Sequence, residues 1–308
     1  MPLHLSTPLI ESRALSQRSG RRVWLKLDAL QPPGSFKIRG VGLACETHAS
    51  RGARRFISSS GGNAGIAVAY AGRQLGLPVT VVVPQTASER ARELIAQQGA
   101  EVIVHGASWQ EANALAQSMV TPSDAFIHPF DDPLLWQGHA SLIDEVAQAG
   151  LKPDAVVLSV GGGGLLAGVV QGLQARGWRD VPVVAVETEG AASLQAAAQA
   201  GARVALDQIT SLATSLGAKQ VCQRAFDLLA EHTVRSVVVS DRAAVAACTR
   251  FLDDQRLLVE PACGAALALA YEDSPALQDC RQVLFIVCGG VTASAQQLSQ
   301  WSAQFAAA

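Results

Sequence analysis

Val79-Thr80-Val81-Val82-Val83 is a continuous apolar run five residues long, bounded by Gly76-Leu77-Pro78 and Pro84. A strand with one wet face alternates apolar and polar residues. A run that does not alternate is buried on both faces, as in a parallel sheet covered by helices. Working outward, short apolar strands alternate with amphipathic helices along the chain. Strands are predicted at 23–27, 55–58, 79–83, 101–104, 125–128, 155–160, 182–187, 235–239 and 282–287. Helices are predicted at 37–50, 65–75, 88–98, 108–118, 134–148, 165–176, 191–199, 241–254 and 262–271. Gly76 and Gly99 stand where glycines stop helices. This order gives an α/β chain with open, doubly wound parallel sheets. There is no internal repeat, low-complexity segment or coiled coil, and Phe305–Ala308 reads as a fraying end.

Bulk properties narrow the function. The chain has 308 residues, 49% of them hydrophobic and 16% charged, enough to bury a core in one or two domains. A net charge of −2 and a pI near 6.3 imply no nucleic-acid partner and no anionic membrane surface. No apolar run reaches the roughly 18–20 residues that span a bilayer, and Met1–Ser6 lacks the pattern of a secretory signal. Six cysteines at 45, 222, 248, 263, 280 and 288 show no metal-ligand spacing; all but Cys288 read as reduced core thiols, which predicts a cytoplasmic protein.

Chemistry concentrates in a few loops. Pro32-Pro33-Gly34-Ser35-Phe36-Lys37-Ile38-Arg39-Gly40 holds one of only four lysines, the others being Lys26, Lys152 and Lys219. Lys37 lies between Phe36 and Ile38, after a turn and at a helix start. Apolar surroundings disfavour the ammonium form, and the free amine is the nucleophile a Schiff base needs. The plainer reading is a surface lysine at a helix start. Three glycine-rich turns follow strands: Ser58–Gly65, Gly161–Gly164 and Cys288-Gly289-Gly290. In open α/β sheets ligands sit beyond the carboxyl ends of the strands, where glycines let backbone N–H groups approach an anion. Gly162-x-Gly164-x-x-Ala167, with Glu187 ending the next strand, also fits a dinucleotide fingerprint, so a nicotinamide oxidoreductase competes. Four consecutive glycines suit a cradle for one phosphate, and a tight turn alone does not need them. Ser58–Gly65 can hold a carboxylate or phosphate; helix capping by Ser60 or Asn63 would explain one residue but not the cluster. Pro129-Phe130-Asp131-Asp132-Pro133 reads as a turn leading into a helix, and His139 as a satisfied core or interface histidine.

Five motifs in order carry a resemblance: Ser35-Phe36-Lys37-Ile38-Arg39-Gly40, Ser59–Gly65, Ser159–Leu165, Glu260-Pro261-Ala262-Cys263-Gly264-Ala265-Ala266 and Val287-Cys288-Gly289-Gly290. Thr7-Pro8-Leu9 and Lys26-Leu27-Asp28 add to it. Together the chain resembles the serine/threonine dehydratase branch of the fold-type II pyridoxal-phosphate enzymes, most of all the short L-serine dehydratases. The resemblance covers nearly the whole chain and leaves no room for a regulatory C-terminal domain. It implies a large cofactor domain (1–33 with 133–308), a small substrate domain (34–132), and the cofactor between them.

The resemblance also implies residue roles. Lys37 carries the Schiff base of pyridoxal 5'-phosphate and, once released by substrate, takes the α-proton. Phe36 packs on the pyridine ring, Asn63 bonds its phenolic oxygen, and Gly161, Gly162, Gly163 and Gly164 cradle its phosphate. Ser59, Ser60, Gly62, Asn63 and Ala64 line the substrate carboxylate site. Loss of the β-hydroxyl of serine or threonine then gives a keto acid and ammonia. Glu187 resembles the acidic ligand of a monovalent-cation site, completed by carbonyls near Gly161, Ala191, Leu216 and Ala218 and suited to K+. Cys288 is placed to face the pyridine nitrogen. No Asp or Glu stands between Ile286 and Ser294, so the ring is expected to meet a neutral thiol. Where some close members carry alanine this chain has Gly61, which predicts a looser loop. A homodimer is the family's usual state. Within the family, serine racemase and cysteine synthase are alternatives; a racemase would need a second base, for which Ser60 is the candidate. A cofactor-free binding protein is the weakest option.

Overall fold

The computed structural model describes residues 1–306; Ala307 and Ala308, at the end read as fraying, lie outside the described residues. The chain divides into two compact units. One comprises Met1–Leu5 with Gln31–His139, the other Ser6–Leu30 with Ala140–Ala308. Against the expected 34–132, the first unit takes in the first five residues and reaches into the helix Pro133–Gln148.

The second unit opens with β1 (Leu9–Glu11), α1 (Arg13–Ser19) and β2 (Arg22–Lys26). The first unit then runs α2 (Lys37–Ser50), β3 (Arg55–Ser58), α3 (Asn63–Leu75), β4 (Val79–Val83), α4 (Glu89–Gln97), β5 (Glu101–Val104), α5 (Trp109–Ser118) and β6 (Asp124–Phe126). Its sheet has the order β5-β4-β3-β6, all parallel. The Val79–Val83 run is buried along its whole length, as its composition requires. Alternate residues serve opposite faces. Ile57 and Val82 pack with Ala112 and Ala116 of α5. On the other face α3 lies so close that a side chain at Gly72 would sit 2.1 Å from Val79, and one at Gly65 would sit 3.2 Å from Val81. Helices therefore cover both faces of this sheet.

The division between units falls within α6 (Pro133–Gln148). The second unit continues with β7 (Ala155–Ser159), α7 (Gly164–Ala175), β8 (Val183–Thr188), α8 (Ser193–Ala200), α9 (Gln223–Glu231), β9 (Val234–Val239), α10 (Asp241–Gln255), α11 (Pro261–Tyr271), β10 (Gln282–Ile286) and α12 (Ala295–Ala306). Its sheet order is β1-β2-β10-β7-β8-β9. Every neighbouring pair is parallel except β1 with β2, an antiparallel edge. All eleven residues of α11 are buried, and its run of alanine and leucine is apolar all round, as a wholly interior helix must be.

The expected strands and helices are present within a few residues. Two shifts bear on the site. α3 begins at Asn63, two residues before the expected start, so Asn63 is the first helical residue. β6 ends at Phe126, so His128 lies in the turn that follows and not in a strand. β1, α1, α9 and α12 were not anticipated. β1 has three residues, and α1 and α12 each bury a single leucine, which leaves little periodicity to read.

Candidate active site

In the first unit, Lys37 opens α2, with Phe36 before it. Both are half-buried, and Ile38, Arg39 and Gly40 are buried. The Lys37 Nζ donates to the Pro129 carbonyl at 2.7 Å and lies 5.2 Å from the centre of the Phe36 ring. The other lysines are committed elsewhere. Buried Lys26 donates to Glu145 and, at 2.8 Å, to Thr7 Oγ1; Lys152 pairs with Asp180 at 2.8 Å; Lys219 donates to the Asp207 carbonyl.

The Ser58–Gly65 turn leads from β3 into α3. The N-cap Gly62 is extended and α3 has no side-chain cap, so the first N–H groups of a thirteen-residue helix stand where an anion would meet them. Ser60 Oγ accepts from Gly62 N at 3.4 Å, which leaves the hydroxyl proton available to a ligand. Ser59 differs. Its buried hydroxyl donates to Asn113 Oδ1 at 2.7 Å, so its proton is spent on α5. Asn63 is buried at the first turn of α3, beside Ala64. The looser loop expected from Gly61 is corrected by Ala87: a side chain at 61 would sit 2.8 Å from the Ala87 Cβ and 3.4 Å from Val83, so a neighbour already takes that space.

The Pro129–Pro133 segment leads into a helix, as read: Asp132 Oδ1 accepts from Leu134 N at 2.7 Å. It also supplies the carbonyl that holds Lys37. His139 is a core histidine, 1% exposed, its ring 4.9 Å from that of Phe36. Its Nδ1 makes no hydrogen bond, contrary to the expected satisfied ring. Burial, with Lys37, Arg39 and His4 nearby, holds it well below the usual histidine range, so it is a neutral imidazole.

In the second unit, Gly161–Gly164 runs from the end of β7 into α7. Gly163 is the N-cap, at φ +93°, and α7 likewise has no side-chain cap. A side chain at Gly163 would sit 2.3 Å from the Ala225 Cβ, and one at Gly161 would sit 3.1 Å from Leu216 Cα and the Ser215 carbonyl oxygen. Gly163 is therefore sterically required, and Gly161 leaves a side chain only a tight fit against backbone. The result is a backbone-only concavity at a helix N-terminus, which fits a phosphate monoester.

Glu187, near the end of β8, is fully buried. Its two oxygens accept from Leu194 N at 2.7 Å and Gln195 N at 2.9 Å in the first turn of α8. Burial pushes its carboxyl up to about 7, against the pull of those two bonds. This engagement turns the carboxylate inward, unlike a ribose-binding acid on an open crevice. Of the other residues expected around a cation, Leu216 lies against Gly161, and its carbonyl accepts from Ala218 N at 2.8 Å; Ala191 N donates to the Thr188 carbonyl at 2.9 Å.

Cys288 follows β10 and is buried. A hydrogen bond with the Cys263 thiol, burial and the charge of Glu260 all push it well up, so it is a neutral thiol. An acid does stand near it, though not within 286–294. Glu260, the N-cap of α11, is 4% exposed and accepts from Thr292 Oγ1. Asn113, Pro129, Ala87 and Glu260 are the neighbours that sequence reading missed, because each is distant in sequence from the motif it touches. A cavity of about 810 Å³ near Arg13, Arg21, Arg22 and Arg281 shares no residue with any of the three glycine-rich turns.

Comparison with known proteins decides among the readings. Residues 1–289 match the family described as "Pyridoxal-phosphate dependent enzyme". The chain belongs to this family. Mouse "Serine dehydratase-like" is 51% identical, over 98% of this chain and 95% of that one. Human "L-serine dehydratase/L-threonine deaminase" is 50% identical, over 96% and 94%. Among solved structures, a fungal L-serine ammonia-lyase from Rhizomucor miehei superposes with a TM-score of 0.93 at 36% identity, covering 99% of this chain and all of that one. This pyridoxal-phosphate family member is therefore an α/β enzyme with two parallel-sheet units, and the nicotinamide and cofactor-free readings fall. No helix among the described residues is long and apolar enough to cross a membrane.

Proposed function

We propose that the chain dehydrates L-serine and L-threonine, removing the β-hydroxyl to release a 2-keto acid and ammonia. The observation that carries this is the Lys37 amine, held by a backbone carbonyl beside an aromatic ring, in a chain about half identical over nearly its full length to relatives named for that activity.

Bound pyridoxal phosphate supplies a sink for the electrons of the substrate α-carbon. The chain's residues supply position and proton transfer. Lys37 would hold the cofactor and, as the free amine, would take the α-proton; the Pro129 carbonyl gives that amine a fixed place. Phe36 would pack against the ring. Gly161–Gly164 and the start of α7 take the phosphate, with no side chain in the way. Ser60, Gly62, Asn63 and Ala64 offer the substrate carboxylate an uncapped helix N-terminus and one hydroxyl proton, and Asn63 would bond the phenolic oxygen. Ser59 acts at one remove, bracing the turn through Asn113. Cys288 would offer the pyridine nitrogen a neutral thiol, a partner too weak to hold a proton there.

Glu187, with carbonyls of Gly161, Ala191, Leu216 and Ala218, is proposed to hold K+. A carboxylate has about four acceptor sites; α8 uses one on each oxygen, and the lone pair left on each is what a hard cation wants. A homodimer is what the resemblance implies, and a cytoplasmic setting is what the cysteines suggest. The six free, buried cysteines accord with a reducing compartment.

The deciding experiment is keto-acid release from L-serine, L-threonine and their D-forms, with wild type and Lys37→Ala. Wild type is expected to act on the L-forms. The variant is expected to lose the visible absorption of the bound cofactor and essentially all turnover. A variant that keeps the band would refute Lys37, and interconversion of the serine enantiomers without keto acid would favour a racemase using Ser60.

A further inference from the structure

Beyond β6, the chain is tied to the carboxyl end of β3. Ile127 N donates to the Ile57 carbonyl at 2.8 Å, and Ser58 Oγ donates to the Ile127 carbonyl at 3.0 Å. At His128 the chain turns, and the ring folds back over its own backbone. Its Nδ1 accepts from Phe130 N at 3.2 Å and from Asp131 N at 2.8 Å. Asparagine and aspartate make such turns with a side-chain oxygen; here a ring nitrogen does it. The imidazole is walled by Phe130 at 4.7 Å, Trp109 at 6.2 Å and Phe126 at 6.4 Å, each edge to face. Trp136 Nε1 donates to the Phe130 carbonyl at 3.0 Å and closes the other side of the turn. Between His128 and Phe130 stands Pro129, whose φ is fixed by its own ring. Its carbonyl direction, and hence the seat of the Lys37 amine, is set by these contacts.

We propose that His128 is the positioning residue that aims the Pro129 carbonyl at Lys37 Nζ, and that it does so only as a neutral imidazole. A nitrogen that accepts two N–H groups cannot carry a proton, so the ring proton sits on Nε2. Protonating Nδ1 removes the acceptor for Phe130 and Asp131 and brings a second cation towards Lys37. Both effects release the turn.

The surroundings keep the ring neutral. Burial is the largest influence and lowers its proton affinity. Lys37, from α2, lowers it further, while Asp131 and Asp132, in its own turn and before α6, oppose. From α5 and β6 it meets the uncharged rings of Trp109 and Phe126. The acid loss of activity therefore belongs below the ordinary histidine range.

The inference rests on Lys37 as the reacting amine, and the test separates the two. In the full-length holoenzyme, His128→Ala is expected to lower kcat about tenfold or more, since small misplacements of a reacting group cost that much, with KM little changed and cofactor retained. His128→Asn, whose Oδ1 can accept the same two N–H groups without titrating, is expected to restore kcat and to lack the acid limb of the kcat profile. Two readouts need no turnover. Nitrogen-15 NMR of the cofactor-free protein should show Nδ1 as an unprotonated acceptor and Nε2 protonated at neutral pH. Lys37 should react faster with an acylating reagent in His128→Ala than in wild type. The proposal is overturned if His128→Ala matches wild type in kcat, if His128→Asn keeps the acid limb, or if Nδ1 carries the proton. If the wild-type chain releases no keto acid, the functional reading fails, and resonance and labelling rate alone decide the role of His128.

Discussion

Two helices of this protein begin at glycines and have no side-chain cap: α3 at Gly62 in one unit and α7 at Gly163 in the other. Serine caps serve four other helices, with Ser12, Ser88, Ser108 and Ser240 accepting from the first turns of α1, α4, α5 and α10, while α2, α8, α9 and α11 start without a side-chain cap at residues other than glycine. A serine cap satisfies one of the orphan N–H groups; its absence at both glycine starts leaves them for a ligand. The two turns differ in what surrounds them. The α3 turn carries Ser58, Ser59, Ser60 and Asn63, with the Ser59 hydroxyl fixed by Asn113. The α7 turn carries no side chain at all, and Leu216, Ser215 and Ala225 press against it. A bare backbone cradle reads charge and size. A turn with hydroxyls and an amide also reads orientation. That is the division of labour expected between a cofactor phosphate, which has only to be anchored, and a substrate carboxylate, which has to be aimed.

The sharpest way to break this comparison is to add one methyl group to each turn. Gly163→Ala must hold a side chain at φ +93° and 2.3 Å from Ala225. Overpacking and backbone strain together should cost about 2–4 kcal/mol, with cofactor affinity falling as well. At Gly62 the backbone is extended and nothing lies within 4 Å of the added carbon. Gly62→Ala should leave thermal stability nearly unchanged and raise the KM for serine. Equal losses of stability in the two variants would show that the turns are not built differently.

A third helix start, that of α8, is satisfied by Glu187. The folded protein binds the Glu187 proton more tightly than the unfolded chain does, because burial raises it from 4.5 to about 7. Stability should therefore be greatest below pH 4.5 as far as this group is concerned, fall as pH rises from there to about 7, and level off above. The shift bounds the loss at about 3 kcal/mol. A bound K+ would favour the carboxylate and flatten the slope. Urea unfolding across this range, in K+ and in tetramethylammonium, checks both statements. An identical slope in the two salts would remove the cation from Glu187.

Much of this arrangement was legible in the sequence, for identifiable reasons. Parallel strands buried on both faces announce themselves as valine runs, and Val79–Val83 is found as read. The glycine turns stand out because their composition is unusual. What could not be read is any partner supplied by distant chain: Asn113 for Ser59, Glu260 near Cys288, Pro129 for Lys37. Gly61 shows the same limit from the other side. A missing side chain reads as slack in the sequence, whereas Ala87, twenty-six positions on, fills the space. Gly61→Ala should therefore cost about 1 kcal/mol by overpacking, and adding Ala87→Gly should recover most of it. If Gly61→Ala instead stabilises the protein, the turn is loose after all.

The smallest effect is expected at Cys288, close in the sheet to the bare cradle, since β10 and β7 are parallel neighbours. Its thiol stays neutral because Cys263 bonds to it, burial opposes the thiolate, and Glu260 adds a nearby negative charge. The pyridine nitrogen would thus meet a weak partner, although a carboxylate stands close by on α11. Geometry keeps the two apart in role: Glu260 is occupied by Thr292. Cys288→Ser preserves a neutral hydroxyl of similar size and should retain cofactor binding with activity within a few-fold of wild type. Cys288→Ala removes the partner but introduces no charge, and should also load fully and lose only part of its turnover. Cys288→Asp would place a second carboxylate beside Glu260. Like charges in a buried site disfavour ionisation of both, so the new acid should be partly protonated. Its effect on the balance between elimination and transamination should therefore grow with pH. A ratio of the two products that does not change with pH in Cys288→Asp would mean that position 288 does not face the ring nitrogen, and the contrast between an anchoring turn and an aiming turn would then have to stand without it.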